Sequence, residues 1–284
     1  MESNKVTIIT PVFNSERFIR DTILTVAQQT YSNWEMILVD DCSTDRSAAI
    51  IDEETRGDER FRYYKLERNS GAAAARNFAL EKSDGRFVAF LDADDLWRSD
   101  KTEKQVRFML DHNVAFCCTD YEVIDEVGNL KNKIVHIPQI VDYNLFLRNT
   151  IIQTVGVMVD TQQTGKALIR MTLERKEGAS SREDAATWCN LLKHGYPCYA
   201  MNENLAYYRR VSDSLSSNKV KSFQGTWHLY RQIEKLPLLK SCYCFVGYAY
   251  NATKKRIYMP AIKTHRVVTP RHEKVNTPHE AENK

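Results

Sequence analysis

Phe87-Val88-Ala89-Phe90-Leu91-Asp92-Ala93-Asp94-Asp95-Leu96-Trp97 carries an apolar run straight into three carboxylates within four positions. Like charges this close repel one another, and a core tolerates them poorly. A buried strand ending on such a cluster is explained by a divalent cation. Mg²⁺ and Mn²⁺ prefer hard carboxylate oxygens and take one or two of them alongside substrate phosphates. The same residues also suit an acidic turn capping the next helix, since Asp is a good N-cap. The segment by itself leaves both readings open.

Its surroundings set the fold class. Val6–Thr10 reads as a short buried strand, broken by Pro11 and Asn14, and residues 15–29 as a helix with an apolar face at Phe18, Ile19, Ile23 and Leu24. Trp34–Val39 reads as a second strand ending in Asp40-Asp41, and Arg46–Arg56 as a helix capped by Thr44-Asp45. A third strand at Arg62–Leu66, a helix at Ala72–Glu81 opened by Gly71, and a fourth strand at Arg86–Leu91 follow. Strands alternating with helices through short connections predict a mostly parallel α/β sheet covered on both faces. In such a sheet ligands bind beyond the carboxyl ends of the strands. Thr10, Asp41 and Asp92–Asp94 all fall at such ends.

Beyond residue 115 the pattern loosens. Ala115–Tyr121, Val155–Val159 and Ala206–Arg209 read as strands, and Asp184–Lys193, Phe223–Leu239 and Lys240–Lys255 as helices. The expected organisation is one large domain over 1–215, in two halves at 1–100 and 101–215. A basic helical extension over 216–268 and a polar, disordered tail over 269–284 complete it.

Composition narrows the function. The 284 residues are 43% hydrophobic and 27% charged, ordinary for a globular chain. A net charge of +3 gives no electrostatic footprint for nucleic acid. The seven cysteines are odd in number and show no C-x-x-C spacing, which fits free thiols in a reducing cytosol better than disulfides or a zinc site. No signal peptide and no run of about 20 apolar residues is visible, so a cytoplasmic chain is expected.

Five motifs occur in order: Thr10-Pro11-Val12-Phe13-Asn14, Val39-Asp40-Asp41-Cys42-Ser43-Thr44-Asp45, Asn69-Ser70-Gly71-Ala72-Ala73-Ala74-Ala75-Arg76-Asn77, Asp92-Ala93-Asp94-Asp95 and Arg182-Glu183-Asp184. Together they resemble a family 2 glycosyltransferase with the GT-A nucleotide-sugar fold, over roughly residues 5 to 210. Tyr207-Tyr208-Arg209-Arg210 through Ser214–Lys219 resembles the subgroup that builds bacterial surface polysaccharides such as O-antigen, capsule and teichuronic acid.

The resemblance implies a catalytic domain over 1–215 with a nucleotide-binding half at 1–100 and an acceptor half at 101–215, and a UDP-sugar donor held by Thr10, Pro11, Asn14, Glu16, Asp41, Arg76, Asp92 and Ala93. Thr10 and Asp41 would contact uracil, whose imide N–H a carboxylate can accept. Helix capping is the other reading of Asp41, and a helix-surface ion pair that of Arg76. Asp92 and Asp94 match the D-x-D motif, with Asp94 as direct ligand of Mn²⁺ or Mg²⁺ and Asp95 as a helix cap or a supporting group. Asp184 would be the general base, taking a proton from an acceptor hydroxyl that attacks the anomeric carbon opposite UDP. Glu183 and Arg209 would lie near acceptor or phosphate; a surface ion pair is the other reading of Arg209. The chain departs from the family pattern at Cys42, where glycine is usual, and at Ala185-Ala186, where an aromatic and an acid usually follow.

Leu236–Tyr250 is apolar and aromatic and runs into Lys254-Lys255-Arg256. This suits an interfacial element on an anionic inner membrane surface, where a lipid-linked sugar acceptor would be reached. Packing on the catalytic domain, or on a second copy in a homodimer, fits the same pattern. Two other functions remain in view. A sugar nucleotidyltransferase would need a Gly-rich, basic loop after the first strand, where Pro11–Glu16 stands instead. A non-catalytic nucleotide-sugar-binding module would have no use for both Asp94 and Asp184.

Overall fold

Strands β1 (Val6–Val12), β2 (Trp34–Asp40), β3 (Phe61–Lys65) and β4 (Phe87–Phe90) pair in parallel in the order β3-β2-β1-β4. Helices α1 (Ile19–Ala27), α2 (Ser47–Thr55) and α3 (Ala72–Lys82) make the crossovers. The computed structural model describes residues 4–172, 182–211 and 219–257. β1, β2 and β4 are buried almost throughout, as apolar runs in a sheet covered on both faces should be. Ala73 and Ala75 are buried where α3 meets β1 and β2, so the alanine run is a close-packing face.

The strand expected to stop at Thr10 continues through Pro11 to Val12. Ile9 C=O accepts from Leu91 N–H on the β4 side, and β4 pairing ends at Ile9. Pro11 faces that same side two residues later, beyond the end of β4, so its missing N–H leaves no gap in the ladder.

The second half enlarges the same sheet. β9 (Met158–Asp160) enters antiparallel between β4 and β6 (Phe116–Ile124), and β6 pairs in parallel with β10 (Cys198–Arg209). Short antiparallel strands β5 (Leu96–Trp97), β7 (Leu130–Val135) and β8 (Ile140–Val141) extend the edges. Here the expectations needed correction. The strand expected over Val155–Val159 begins as a helical turn at Thr154–Gly156, and the one expected over Ala206–Arg209 is the end of a 12-residue strand. β10 alternates buried with half-buried or exposed positions and bulges between Ala200 and Ala206, which broke its apolar pattern.

Helices α4 (Lys101–Asp111), α5 (Tyr143–Arg148), α6 (Thr161–Thr164) and α7 (Glu183–Lys193) flank this half. α8 (Lys219–His228) runs into a π-helical turn at Leu229–Ile233, and α9 (Leu238–Ile257) starts immediately after Pro237. The first C-terminal helix therefore ends earlier than Leu239. The expected tail at 269–284 and the motif residues Ser214–Asn218 lie outside the described residues.

Candidate functional site

A cleft of about 500 Å³ opens beyond the carboxyl ends of β1, β2 and β4. Pro11, Asn14, Asp41, Arg76, Asp92 and Asp94 line it, so most of the expected nucleotide residues meet in one place. Ala93 lines it too. Thr10 and Glu16 do not. Thr10 is wholly buried, and its Oγ1 has no hydrogen-bond partner among the described residues. Glu16 accepts from Arg46 N–H at 3.0 Å, while Glu16 N–H donates to Asp45 Oδ2. Asn14 makes a similar clasp: its Oδ1 accepts from Thr44 N–H and its own N–H donates to Ser43 Oγ. These bonds tie the loop after β1 to the loop after β2 and shape the cleft floor.

Asp41 serves two structural neighbours while facing the cleft. Its two oxygens accept from Ser70 N–H and Gly71 N–H, each at 2.6 Å, just before α3. These bonds hold the turn that leads into α3, and the carboxylate keeps lone pairs for a ligand. Gly71 sits at φ 87°, where a side chain would be strained, which explains a glycine at the start of α3. Cys42 also lies in the left-handed region, at φ 63°, in the place where the family pattern has glycine.

The acidic turn after β4 separates its three carboxylates by role. Asp92 accepts from Arg76 Nη2 at 2.5 Å. Asp94 faces the cleft, and burial together with the Asp92 charge pushes its carboxyl up to about 6. Asp95 is buried and caps no helix. Its Oδ1 accepts from Arg209 N–H at 2.8 Å, fastening the turn to the end of β10. Arg209 is buried rather than on the surface. Its Nε donates to Asp94 C=O at 2.7 Å and its Nη1 to Glu126 C=O at 2.9 Å, so it braces the D-x-D backbone from behind.

Arg76 is likewise buried, not a surface residue. Besides Asp92 it reaches Glu183 Oε1 at 3.9 Å. Burial alone would weaken its hold on the proton, but the charges of Asp92, Glu183 and Asp184 more than reverse this and raise its pKa. One guanidinium therefore joins the carboxylates after β4 to those opening α7. Glu183 and Asp184 form the first turn of α7, where the helix dipole favours anions. Asp184 Oδ1 accepts from Ala185 N–H at 2.7 Å.

Residues 7–174 match the family model described as Glycosyl transferase family 2. The chain belongs to glycosyltransferase family 2. It is 48% identical to a Bacillus subtilis (strain 168) protein named as the teichuronic acid biosynthesis glycosyltransferase TuaG, across 89% of this chain and 97% of that one. It is 32% identical to WfgD of Escherichia coli, named UDP-Glc:alpha-D-GlcNAc-diphosphoundecaprenol beta-1,3-glucosyltransferase, across 91% and 97%. Among solved structures, S. aureus TarS in complex with UDP-GlcNAc superimposes with a TM-score of 0.68 at 20% identity, over 88% of this chain and 73% of that one. The mannosyltransferase PcManGT of Pyrobaculum calidifontis, in complex with GDP-Man and Mn²⁺, gives 0.62 at 18% identity, over 88% and 70%. The family member is thus a transferase enzyme with the GT-A fold expected from its motifs.

Asp92 and Asp94 fit the divalent metal expected from the sequence. They are hard oxygen donors at one cleft wall; burial first and the Asp92 charge second raise the Asp94 pKa, and a cation would offset both. Among the described residues no group of three or more His, Cys, Asp or Glu forms a ready metal cage. Two carboxylates suit an ion whose other positions go to phosphates and water. Phe18, expected on the apolar face of the first helix, and Val211 also line the cleft, and neither was singled out as a site residue by the sequence. Arg182 was quoted only as part of a motif. In the structure its Nη2 donates to Ser222 Oγ at 2.6 Å and to Tyr248 OH at 3.0 Å, linking the residue before Glu183 to both C-terminal helices.

Proposed function

We propose that this enzyme transfers a hexose or N-acetylhexosamine from a UDP-sugar to a lipid-linked glycan in bacterial surface polysaccharide synthesis. The reaction inverts the anomeric centre and gives a β-linkage. The observation that carries this reading is Arg76, which lines the cleft with Asp92 and Asp94, pairs with Asp92 and reaches Glu183, so that the Glu183-Asp184 turn stands behind the cleft wall without lining it. The printed names of TuaG and WfgD support the acceptor class and, for WfgD, the UDP donor and the β-linkage.

We assign the roles as follows. Asp41 accepts the uracil imide with its spare lone pairs, and Phe13, half-exposed at the mouth of the cleft, offers a ring face to the base. Asp94 and Asp92 hold Mn²⁺ or Mg²⁺, which when bound neutralises charge on the pyrophosphate. Asp184 takes the proton from the acceptor hydroxyl as its oxygen bonds to the anomeric carbon. The bond from that carbon to the UDP oxygen breaks, and UDP departs with the electron pair. Arg209 and Asp95 fix the D-x-D turn, and residues 101–215 supply the acceptor half. The acceptor being lipid-linked, the enzyme works peripherally on the cytoplasmic face of the membrane.

The test is UDP release across a panel of UDP-sugars with Mn²⁺ or Mg²⁺ and a synthetic lipid-diphosphate-GlcNAc acceptor. Acceptor-dependent release with one donor is expected, and its loss in Asp94→Ala and Asp184→Asn. Asp184→Asn should still bind UDP. A chain that binds no UDP in the presence of either metal would sink the proposal.

A further inference from the structure

The outer face of α9 is apolar and uncovered. Leu239, Tyr243, Val246 and Tyr250 range from 63% exposed at Tyr243 to 86% at Leu239. Their spacing of four, three and four residues places them within a sector of about 60° on the helix. Scattered exposed apolar side chains are ordinary, but a continuous stripe along one helix marks an interaction surface. The opposite face is occupied. Ser241 and Cys244 are buried, and a Cβ on Gly247 would stand 3.1 Å from Cβ of Arg148, so α9 lies tight against α5. The inner face fixes the helix, and among the described residues nothing covers the stripe, whose side chains stay mostly exposed.

Charge says what covers it. Residues 219–257 contain eight Lys or Arg and a single acid, Glu234. Glu234 is buried, pairs with Lys193 at 3.0 Å and accepts from Tyr143 OH, so it offers no negative charge at the surface. Arg148 Nη1 donates to Tyr243 OH at 3.3 Å, at the edge of the stripe. Lys240 sits one residue after Leu239, and Lys254-Lys255-Arg256 end the helix sequence. A second copy of this chain would set these cations against their own images across a two-fold axis, which repels. An anionic lipid surface attracts them. No helix among the described residues is long and apolar enough to cross a membrane, so α9 lies on the surface rather than through it.

We infer that the Leu239-Tyr243-Val246-Tyr250 stripe seats the chain on an anionic lipid leaflet, with α9 in the plane of the interface. The inference rests on the lipid-linked acceptor proposed above, but its test does not need turnover. The full chain is sedimented with phosphatidylcholine vesicles and with vesicles that also contain phosphatidylglycerol. Binding should favour the anionic vesicles, weaken with added salt, and fall about tenfold or more in the double variant Leu239→Glu, Val246→Glu. Lys240→Gln should lower it less. UDP release with a short-chain, water-soluble acceptor should be unchanged in all three proteins, as should their melting temperatures. Equal binding to both vesicle types, or anionic binding untouched by the double variant, overturns the inference. So does a dimer in solution that the double variant dissociates, which would give the stripe to a second copy. Vesicle binding without any UDP release would instead count against the transferase proposal alone.

Discussion

Arg76 shows how one buried side chain can carry a site. Its guanidinium spans Asp92 and Glu183, two residues that are 91 positions apart in the chain, using its planar fork. Lysine has the charge but only a point donor. Arg76→Lys is therefore expected to fold and to lose about 10²-fold in kcat, as a constellation displaced by an ångström does. Arg76→Ala should also unfold more easily, by about 1–2 kcal/mol, because the half-buried Asp92 loses its guanidinium partner and a buried side chain is truncated. Steady-state UDP release and denaturant titration separate the two effects. Cys42 makes a different demand on the same neighbourhood. At φ 63° it is strained, held there partly by its thiol donating to Leu66 C=O at 2.9 Å. Cys42→Gly should stay within about 1 kcal/mol of the parent, since relief of strain is offset by a freer unfolded chain. Cys42→Val, β-branched in the same position, should lose about 2 kcal/mol. Equal stability of the two variants in chemical denaturation would remove the strain argument.

At the level of elements, α4 contains the least expected residue in the molecule. Lys101 is fully buried, its Nζ 3.8 Å from the centre of the Trp97 ring and donating to Gln105 Oε1, and burial lowers its pKa to about 7. An exposed lysine titrates near 10.5. Between these values the unfolded chain binds a proton that the folded chain does not, so stability rises with pH across that window. Below about 7 both states are protonated and the full cost of the buried charge is present. Lys101→Met should flatten the rise and stabilise the chain most at the acid end of the window. Urea unfolding at pH 7, 8 and 9 reads this directly; a variant with the parent's slope would assign the rise to other groups. The elements also show what a sequence reveals. The four parallel strands and the three crossovers of the first half were legible because β1, β2 and β4 are mostly apolar runs, β3 is rich in aromatic residues, and the helices between them carry apolar or alanine-rich faces. β10 was not, because its bulges and half-exposed face interrupt the pattern. β5 and β8, two residues each, are too short to carry a period. The site was legible in its motifs, as five ordered clusters at strand and helix ends. That Arg209 turns inward to brace Asp94, and that Arg76 reaches Glu183, depends on packing between distant elements and leaves no local signal.

For the molecule as a whole, the decisive contact is between the C-terminal helices and the start of α7. Arg182 precedes Glu183-Asp184, its C=O accepts from Ala186 N–H, and its guanidinium is held by Ser222 of α8 and Tyr248 of α9. Nearby Arg182 and the bond from Ser222 keep the Tyr248 hydroxyl more acidic than usual, despite burial that works the other way. The helices thus hold the first turn of the helix that bears the proposed base, while none of these three residues lines the cleft at the ends of β1, β2 and β4. Loosening the clamp should move Asp184 without touching the uracil end. In the double variant Ser222→Ala, Tyr248→Phe, the affinity for UDP is expected to stay within about twofold and transfer to fall about tenfold, since a small misplacement of a base costs rate more than binding. Asp41→Asn should behave in the opposite sense and weaken UDP binding first. Isothermal titration with UDP, set beside UDP release under saturating donor, distinguishes the two patterns. If UDP affinity and transfer fell together in the double variant, the C-terminal helices would be a general prop for the fold and not a brace for the base.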